Sequence, residues 1–293
     1  MSRIVVVGDL NLDVHAQYPA DLDPGTEVRS SVWAEPGGSA GTFARVAAGS
    51  GASVAFFGCV GDDLIGDLLV RSLEVCGIRP IVGRVEGPSG TILALKQGTE
   101  RTMICSRGAN DGLTAERIDE AAFDAADHLH ISGYAFLSAT QREAARRAIA
   151  IGCARAITIS VDPPPASLIA AFGVDAFRAA LADATWIFPN LAEAQTLTNL
   201  DAPEAIADSL ASWFPTGAIT LGPSGALAWS GEDRSLYTPT ETLSGDSTGA
   251  GDAFAAAFVV AILEHAPLSQ ANARGCEAAA AHIRTRRCTC EGS

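Results

Sequence analysis

The sequence predicts an α/β fold, a three-layer α/β/α sandwich on a mostly parallel central sheet, with a small separate β-sheet beside it. Three observations carry this expectation. From residue 115 onward, helical stripes alternate with short apolar runs, the order that gives parallel strands with helices on both faces. Residues 4–7 and 54–57 are continuous apolar runs, as strands covered on both faces require. Residues 14–18, 26–34 and 80–107 break this rhythm with mixed polar and apolar stretches, which read as exposed strands.

Taken in order, residues 4–7 form the first buried strand, closed by Gly8-Asp9. Gly37-Gly38 opens a small-residue helix over 39–48, and 54–57 is the next strand. Leu64, Ile65, Leu68, Leu69 and Leu73 form one stripe of a helix over 62–75. Residues 91–95 and 102–105 flank Gly98-Thr99-Glu100 as a hairpin. The spacing then predicts helices over 116–126, 139–150, 176–182 and 203–213, alternating with strands over 129–132, 156–162, 185–188 and 218–221. The chain thus reads as one domain over residues 1–293, with a small sheet built from two insertions at about 11–35 and 80–107.

Composition removes several function classes. The net charge is −14 and the pI about 4.7, which disfavours a polyanionic partner such as nucleic acid. The basic cluster Arg284, Arg286 and Arg287 is too small to offset this. Seven scattered cysteines without a CxxC are not a disulfide framework, and reduced thiols point to the cytoplasm. Cys288 and Cys290 lack two further metal ligands nearby. No apolar run reaches the ~20 residues of a membrane span, and the start of the chain does not resemble a signal peptide. The first strand does not lead into Gly-x-Gly-x-x-Gly, which argues against a dinucleotide-dependent oxidoreductase.

The strongest chemical signal is Asp246-Ser247-Thr248-Gly249-Ala250-Gly251-Asp252 before an apolar helix. Gly249, Ala250 and Gly251 would leave backbone N–H groups free at a helix N-terminus, which is an anion site. Asp252 would repel a merely bound phosphate. It is useful if it takes the proton of an attacking hydroxyl while the amides hold a transferring phosphoryl group. An ordinary capped helix would explain Asp252, but not the Gly-Ala-Gly before it.

Asn11 and Asp13 lie just past the first strand, where ligands bind in parallel sheets, and could clamp neighbouring hydroxyls; a plain turn is the alternative. Asn190 and Glu193 stand three apart at a helix start. Glu193 could face phosphates through a hydrated divalent cation, or the pair could be a capping box.

These motifs, in this order and over nearly the whole chain, resemble the ribokinase-like (pfkB-type) carbohydrate kinases. The segment 246–252 is similar to that family's C-terminal signature. Gly37-Gly38-Ser39-Ala40-Gly41 with Gly61-Asp62-Asp63-Leu64-Ile65-Gly66 is similar to its N-terminal one. The resemblance implies ATP and Mg²⁺ as cofactors and Asp252 as general base with the Gly249–Gly251 amides as anion hole. It places a sugar-like substrate against Asn11, Asp13, Gly37, Gly38, Thr42 and Arg107. It puts the nucleotide near Asn190, Glu193, Thr220, Gly222, Gly225 and Thr248, with Mg²⁺ held by Glu193 through water. Asp246 and Thr248 resemble ligands of a monovalent cation, K⁺, although residues 283–288 match the rest of that site poorly. The small sheet corresponds to a lid that pairs between subunits, so a homodimer is expected.

Departures from the family's pattern bear on substrate. Thr42 stands where many members carry Asn. Arg107-Gly108-Ala109-Asn110 resembles a stretch of sugar-acid kinases, but the second arginine of those enzymes is missing from Asp162-Pro163-Pro164-Pro165. A nucleoside or a sugar acid is the alternative to a sugar. For stacking on a base, Tyr18, Trp33 and Tyr134 are the aromatic candidates.

Overall fold

Nine strands form the central sheet of the computed structural model, which describes residues 1–18, 25, 27–97, 100–241, 243 and 246–288. They are β1 (Arg3–Val7), β4 (Ser53–Gly61), β5 (Arg79–Val85), β8 (His128–Ser132), β9 (Thr158–Asp162), β10 (Trp186–Ile187), β11 (Thr216–Thr220), β12 (Ala226–Ser230) and β13 (Asp233–Tyr237). Their order is β13-β12-β11-β10-β9-β8-β1-β4-β5, parallel except for the hairpin strands β12 and β13. A second sheet has the order β3-β2-β6-β7, from β2 (Asn11–Gln17), β3 (Val32–Gly37), β6 (Gly90–Gln97) and β7 (Glu100–Ser106).

Alternation along β1 explains the three layers. Val5 and Val7 pack into a core shared with α3 (Ala139–Ala154), α6 (Leu191–Thr198) and α7 (Pro203–Ala211). Ile4 and Val6 point the other way, into a core shared with α1 (Ser39–Gly49), α2 (Leu64–Val75), α8 (Ala250–Leu263) and α9 (Leu268–Cys288). Every residue of α8 from Asp252 to Ala261 is buried, so its apolar run is explained by packing within the domain. Among the described residues no helix is long and apolar enough to cross a membrane.

Several expectations need correction. The stretch 80–107 does not belong wholly to the small sheet. β5 pairs in parallel with β4 and forms the edge of the central sheet, so only β6 and β7 come from this insertion. Residues 116–126 are not one helix but two 3-10 turns, Ala115–Arg117 and Glu120–Phe123. The Asp119 carboxylate accepts from Ala121 N at 3.0 Å, a local bond that competes with a continuous helix. The helix expected over 176–182 runs from Val174 to Ala180 as α5, and Gly173 (φ 96°) separates it from α4 (Ala166–Phe172), which the periodicity did not reveal. The expected hairpin residues Gly98 and Thr99, the Cys290 thiol and the side chains of Arg286, Arg287 and Cys288 lie outside the described residues.

The small sheet is two-faced. Asn11, Asp13 and His15 alternate along β2 and are buried, whereas their neighbours Leu12, Val14 and Ala16 are only half-buried. The first expectation of simply exposed strands therefore holds for one face alone. β1 is flanked by β8 on one side and β4 on the other, so the strand order reverses there. That reversal opens a crevice beyond the carboxyl ends of the parallel strands, the usual ligand position in open α/β sheets.

Candidate active site

Five neighbouring segments deliver polar side chains to that crevice. Asp9 follows β1, Tyr134 follows β8, Asp162 ends β9, Glu193 sits in the first turn of α6 after β10, and Asp252 sits in the first turn of α8. The Asp252 carboxylate accepts from Ser39 Oγ at 2.7 Å, which joins the N-terminal ends of α1 and α8. It also shares a hydrogen bond with the Asp162 carboxyl. Burial, then the charge of Asp252, push the Asp162 carboxyl well above the usual carboxylate range. Burial and the charges of Asp9 and Asp252 likewise push the Tyr134 phenol up, so it stays a hydrogen-bond donor.

The turn before α8 has the shape its sequence suggests. Gly249 adopts φ 77°, and a Cβ there would come within 2.8 Å of His282 Nε2 and 3.2 Å of the Thr42 methyl. A residue with a side chain would be strained twice over. His282 Nε2 donates to Thr248 O at 2.9 Å, and Ala250 N donates to Ser247 O at 3.1 Å. Gly251 differs: a Cβ there would meet nothing within 4 Å, so the backbone at this point faces open space. The Ala250 amide is thus already taken, whereas the neighbouring amides at the start of α8 have no helical carbonyl one turn earlier, and the helix dipole adds to their attraction for an anion.

Asn11 and Asp13 share the buried face of β2. Asn11 Nδ2 donates to Asp9 Oδ2 at 3.1 Å, and Asn11 Oδ1 accepts from Asn110 Nδ2 at 2.7 Å. Asp9 further accepts from Ser132 Oγ (2.9 Å) and from Ser39 N (3.2 Å). The two glycines of the next motif make room for these groups. A Cβ on Gly37 would strike the Asp13 carboxylate at 2.2 Å, and one on Gly38 (φ 85°) would strike Asp9 O at 2.7 Å. Thr42 is buried one helical turn on, and its hydroxyl accepts from the half-buried Arg45 at 3.3 Å.

The structure gathers the remaining expected residues less tightly. Asn190 and Glu193 form a true capping box: Asn190 Oδ1 accepts from Glu193 N (3.0 Å), and Glu193 Oε2 accepts from Asn190 N (2.9 Å). Asn190 pairs with Thr220 across the sheet edge, and Gly222 and Gly225 frame the turn that follows. Arg107 Nε donates to Asp111 (2.8 Å) and its Nη2 to Gln141 (2.5 Å), so two of its three nitrogens are engaged within the protein. Asp246 accepts from Thr248 N (3.0 Å) and Oγ1 (2.6 Å) on one oxygen and from Lys96 Nζ (2.7 Å) on the other. Sequence reasoning assigned no role to Asp9, Ser39, Asn110, Asp162, Lys96 or His282. Asp9, Ser39 and Asn110 stood inside the quoted motifs, and Asp162 at a strand end was the remaining available signal.

The comparisons with known proteins bear on family and fold. The profile described as "pfkB family carbohydrate kinase" matches residues 1–291. The chain belongs to the pfkB family of carbohydrate kinases. This kinase is 28% identical to a ribokinase of Bacillus subtilis over 272 residues, covering 90% of the chain and 87% of that protein. It is 30% identical over 253 residues to a 2-dehydro-3-deoxygluconokinase of the same organism, covering 81% and 78%. A putative ribokinase II of E. coli, solved in complex with ATP and Mg²⁺, shares the fold with a TM-score of 0.87 at 20% identity, covering 97% of this kinase and 93% of that chain.

One pH effect follows from the site. Burial, opposed by the Asn190 hydrogen bonds and reinforced by the charge of Asp252, pushes the Glu193 carboxyl up to about 8, against an ordinary value of 4.5. Between these values the folded kinase keeps a proton that the unfolded chain has lost. The associated stability is complete below pH 4.5 and is lost as pH rises toward about 8. In the metal-free protein, the midpoint of thermal unfolding should therefore decline across that window and level off above it. Glu193→Gln should flatten the decline; a mutant whose slope equals the wild type's would show that Glu193 does not carry this proton.

Proposed function

We propose that this kinase transfers the γ-phosphoryl group of ATP to a hydroxyl of a small neutral sugar or sugar-like compound. The observation that carries the reading is the placement of Asp252. Its carboxylate stands in the first turn of α8, directly after the left-handed turn at Gly249, and beside Ser39, Asp162 and the Asp9–Asn11 cluster. A base and an anion-binding backbone thus face the same crevice. Asn11 and Asp13 orient substrate hydroxyls, with Thr42, Gly37 and Gly38 shaping the floor. Asp252 takes the proton of the hydroxyl that attacks, and the Gly249 and Gly251 amides hold the phosphoryl oxygens, joined by Ala250 N once it exchanges its bond to Ser247 O for the phosphate.

The nucleotide side is formed by Asn190, Glu193, Thr220, Gly222, Gly225 and Thr248. Burial first, and then the charge of Asp252, push up the Asp162 and Glu193 carboxyls. A hydrated divalent cation brought in with the nucleotide would offset that buried negative charge, although among the described residues no three carboxylates, histidines or cysteines cluster closely enough to hold a metal directly. Mg²⁺ would be held there by Glu193 through water and would supply positive charge to the phosphates. Capping and this role are compatible, because the capping box is what fixes the direction of the Glu193 carboxylate.

A neutral sugar is favoured over a sugar acid by the state of Arg107. Its guanidinium is held by Asp111 and Gln141, and Pro163, Pro164 and Pro165 offer no second cation after Asp162. The direct test is ADP release and thermal shift with Mg²⁺-ATP across neutral sugars, sugar acids and nucleosides. A neutral sugar should give the largest increase in both. ADP release no faster with any hydroxyl compound than with water would contradict phosphotransfer to an alcohol. Faster turnover with a sugar acid would contradict the substrate class.

The small sheet closes over the crevice as a lid and joins two copies in a homodimer. Its inner face carries Asn11, Asp13 and His15, while Val32 on the edge strand β3 and Ile104 on the edge strand β7, 64% and 58% exposed, lie on the outer face. A second lid covering that face would remove both the apolar surface and the unpaired edges. Light scattering should give twice the chain mass, and Ile104→Glu should shift it toward the monomer. A monomeric wild type would contradict the pairing.

A further inference from the structure

The carboxylate of Asp246 is 3% exposed and lies two residues before Thr248, whose amide and hydroxyl both donate to it. A charge so enclosed needs a partner. The partner present is an ammonium from the small sheet: Lys96 Nζ stands 2.7 Å from Asp246 Oδ2, is itself 14% exposed, and lies 5.3 Å from the centre of the Trp33 ring. His15 stacks on the same Trp33 ring at 5.0 Å and lies 3.2 Å from Glu35 and 3.7 Å from Asp246. Burial raises the Asp246 carboxyl, but the Lys96 and Thr248 hydrogen bonds outweigh it and hold it below the usual carboxylate range.

A K⁺ ion at Asp246 and Thr248 does not fit this arrangement. The oxygens it would use accept hydrogen bonds from Lys96 and Thr248, and a second positive charge against the Lys96 ammonium would be repelled. We propose that Lys96 replaces a dissociable monovalent cation: its ammonium, carried on the lid strand β6, neutralises Asp246 and thereby holds the turn that presents the Gly249–Gly251 amides. Lys96 is a positioning residue, acting through Asp246 and Thr248. Because it belongs to the lid, the charge that steadies the anion-binding turn is present when the lid lies over the crevice. The inference deepens the proposed phosphotransfer and rests on it for the catalytic readout alone.

The test uses the whole chain in buffers of matched ionic strength whose cation is K⁺, ammonium or tetramethylammonium, the last too large to enter the Lys96 position. Wild-type turnover and unfolding midpoint should be the same in all three. Lys96→Met should lose on the order of 10- to 100-fold in turnover through misplacement of the amides. K⁺ or ammonium, but not tetramethylammonium, should restore part of that loss and raise the mutant's unfolding midpoint. Lys96→Arg should remain cation-independent. A wild type activated severalfold by K⁺ would overturn the proposal, as would a Lys96→Met enzyme that keeps its turnover or responds to no cation. The unfolding readout needs no substrate. A wild type that phosphorylates nothing would therefore sink the kinase reading while the cation response still decides this one. If Lys96→Met does not fold, the wild-type and Lys96→Arg measurements carry the decision.

Discussion

The proposed chemistry depends on charge balance at one turn, Gly249-Ala250-Gly251, where free helix-start amides would attract an anion and Asp252 would repel it within a few atoms. That opposition constrains the surroundings. Gly249 has a left-handed backbone and is packed against His282 and Thr42, so the turn has little freedom to swing away from the carboxylate. Ser39 holds Asp252 from the opposite helix, and Asp162 shares a hydrogen bond with it. A bound phosphate without a cation would face several carboxylates at once. A phosphate that arrives with a cation would offset the burial, and the added charge of Asp252, that push up Asp162 and Glu193. The proposed chemistry uses that imbalance, because the carboxylate is most useful as a base when nearby positive charge arrives only with the nucleotide.

The architecture puts these groups together by topology rather than by sequence proximity. Asp9, Tyr134, Asp162 and Glu193 follow the adjacent strands β1, β8, β9 and β10, so distant chain segments converge along one sheet edge. The small sheet adds Asn11 and Asp13 from one side and Lys96 from another strand. The same face of that sheet thus carries Asn11 and Asp13 beside Asp9 and, through the Lys96–Asp246 pair, reaches the turn before α8. Lid position and amide geometry are joined by a buried ion pair, a stronger constraint than an exposed pair of the same length would give.

Much of this was legible in the sequence. Period-two and period-3.6 patterns located the central strands and most helices, because burial on one or both faces dictates those periods directly. The glycine motifs marked the turns since left-handed backbone and close approach leave few alternatives to glycine. What stayed hidden depended on tertiary placement. β5 has the same mixed character as the lid strands, and only its pairing with β4 assigns it to the central sheet. The Asp119 side-chain bond that interrupts 116–126 is invisible to a periodicity argument. Asp246 read as a cation ligand from its motif, and nothing in the local sequence disclosed that Lys96, far earlier in the chain, reaches it. Asp162 was noticed for the arginine missing after it, not for its own contact with Asp252.

The central claim is that Asp252 removes the proton of the attacking hydroxyl, and Asp252→Asn tests it most directly, because the amide keeps the size of the side chain and most of its hydrogen bonding. Phosphorylation of the sugar should be followed under chemistry-limited conditions, alongside ATP binding and the leak of phosphate to water. The account predicts a loss on the order of 10²–10⁴ in the rate of sugar phosphorylation. It also predicts ATP binding that is kept or tightened, since a negative charge beside the phosphates is gone. An Asp252→Asn enzyme that phosphorylates its sugar within about threefold of wild type, far short of a general-base loss, would contradict it.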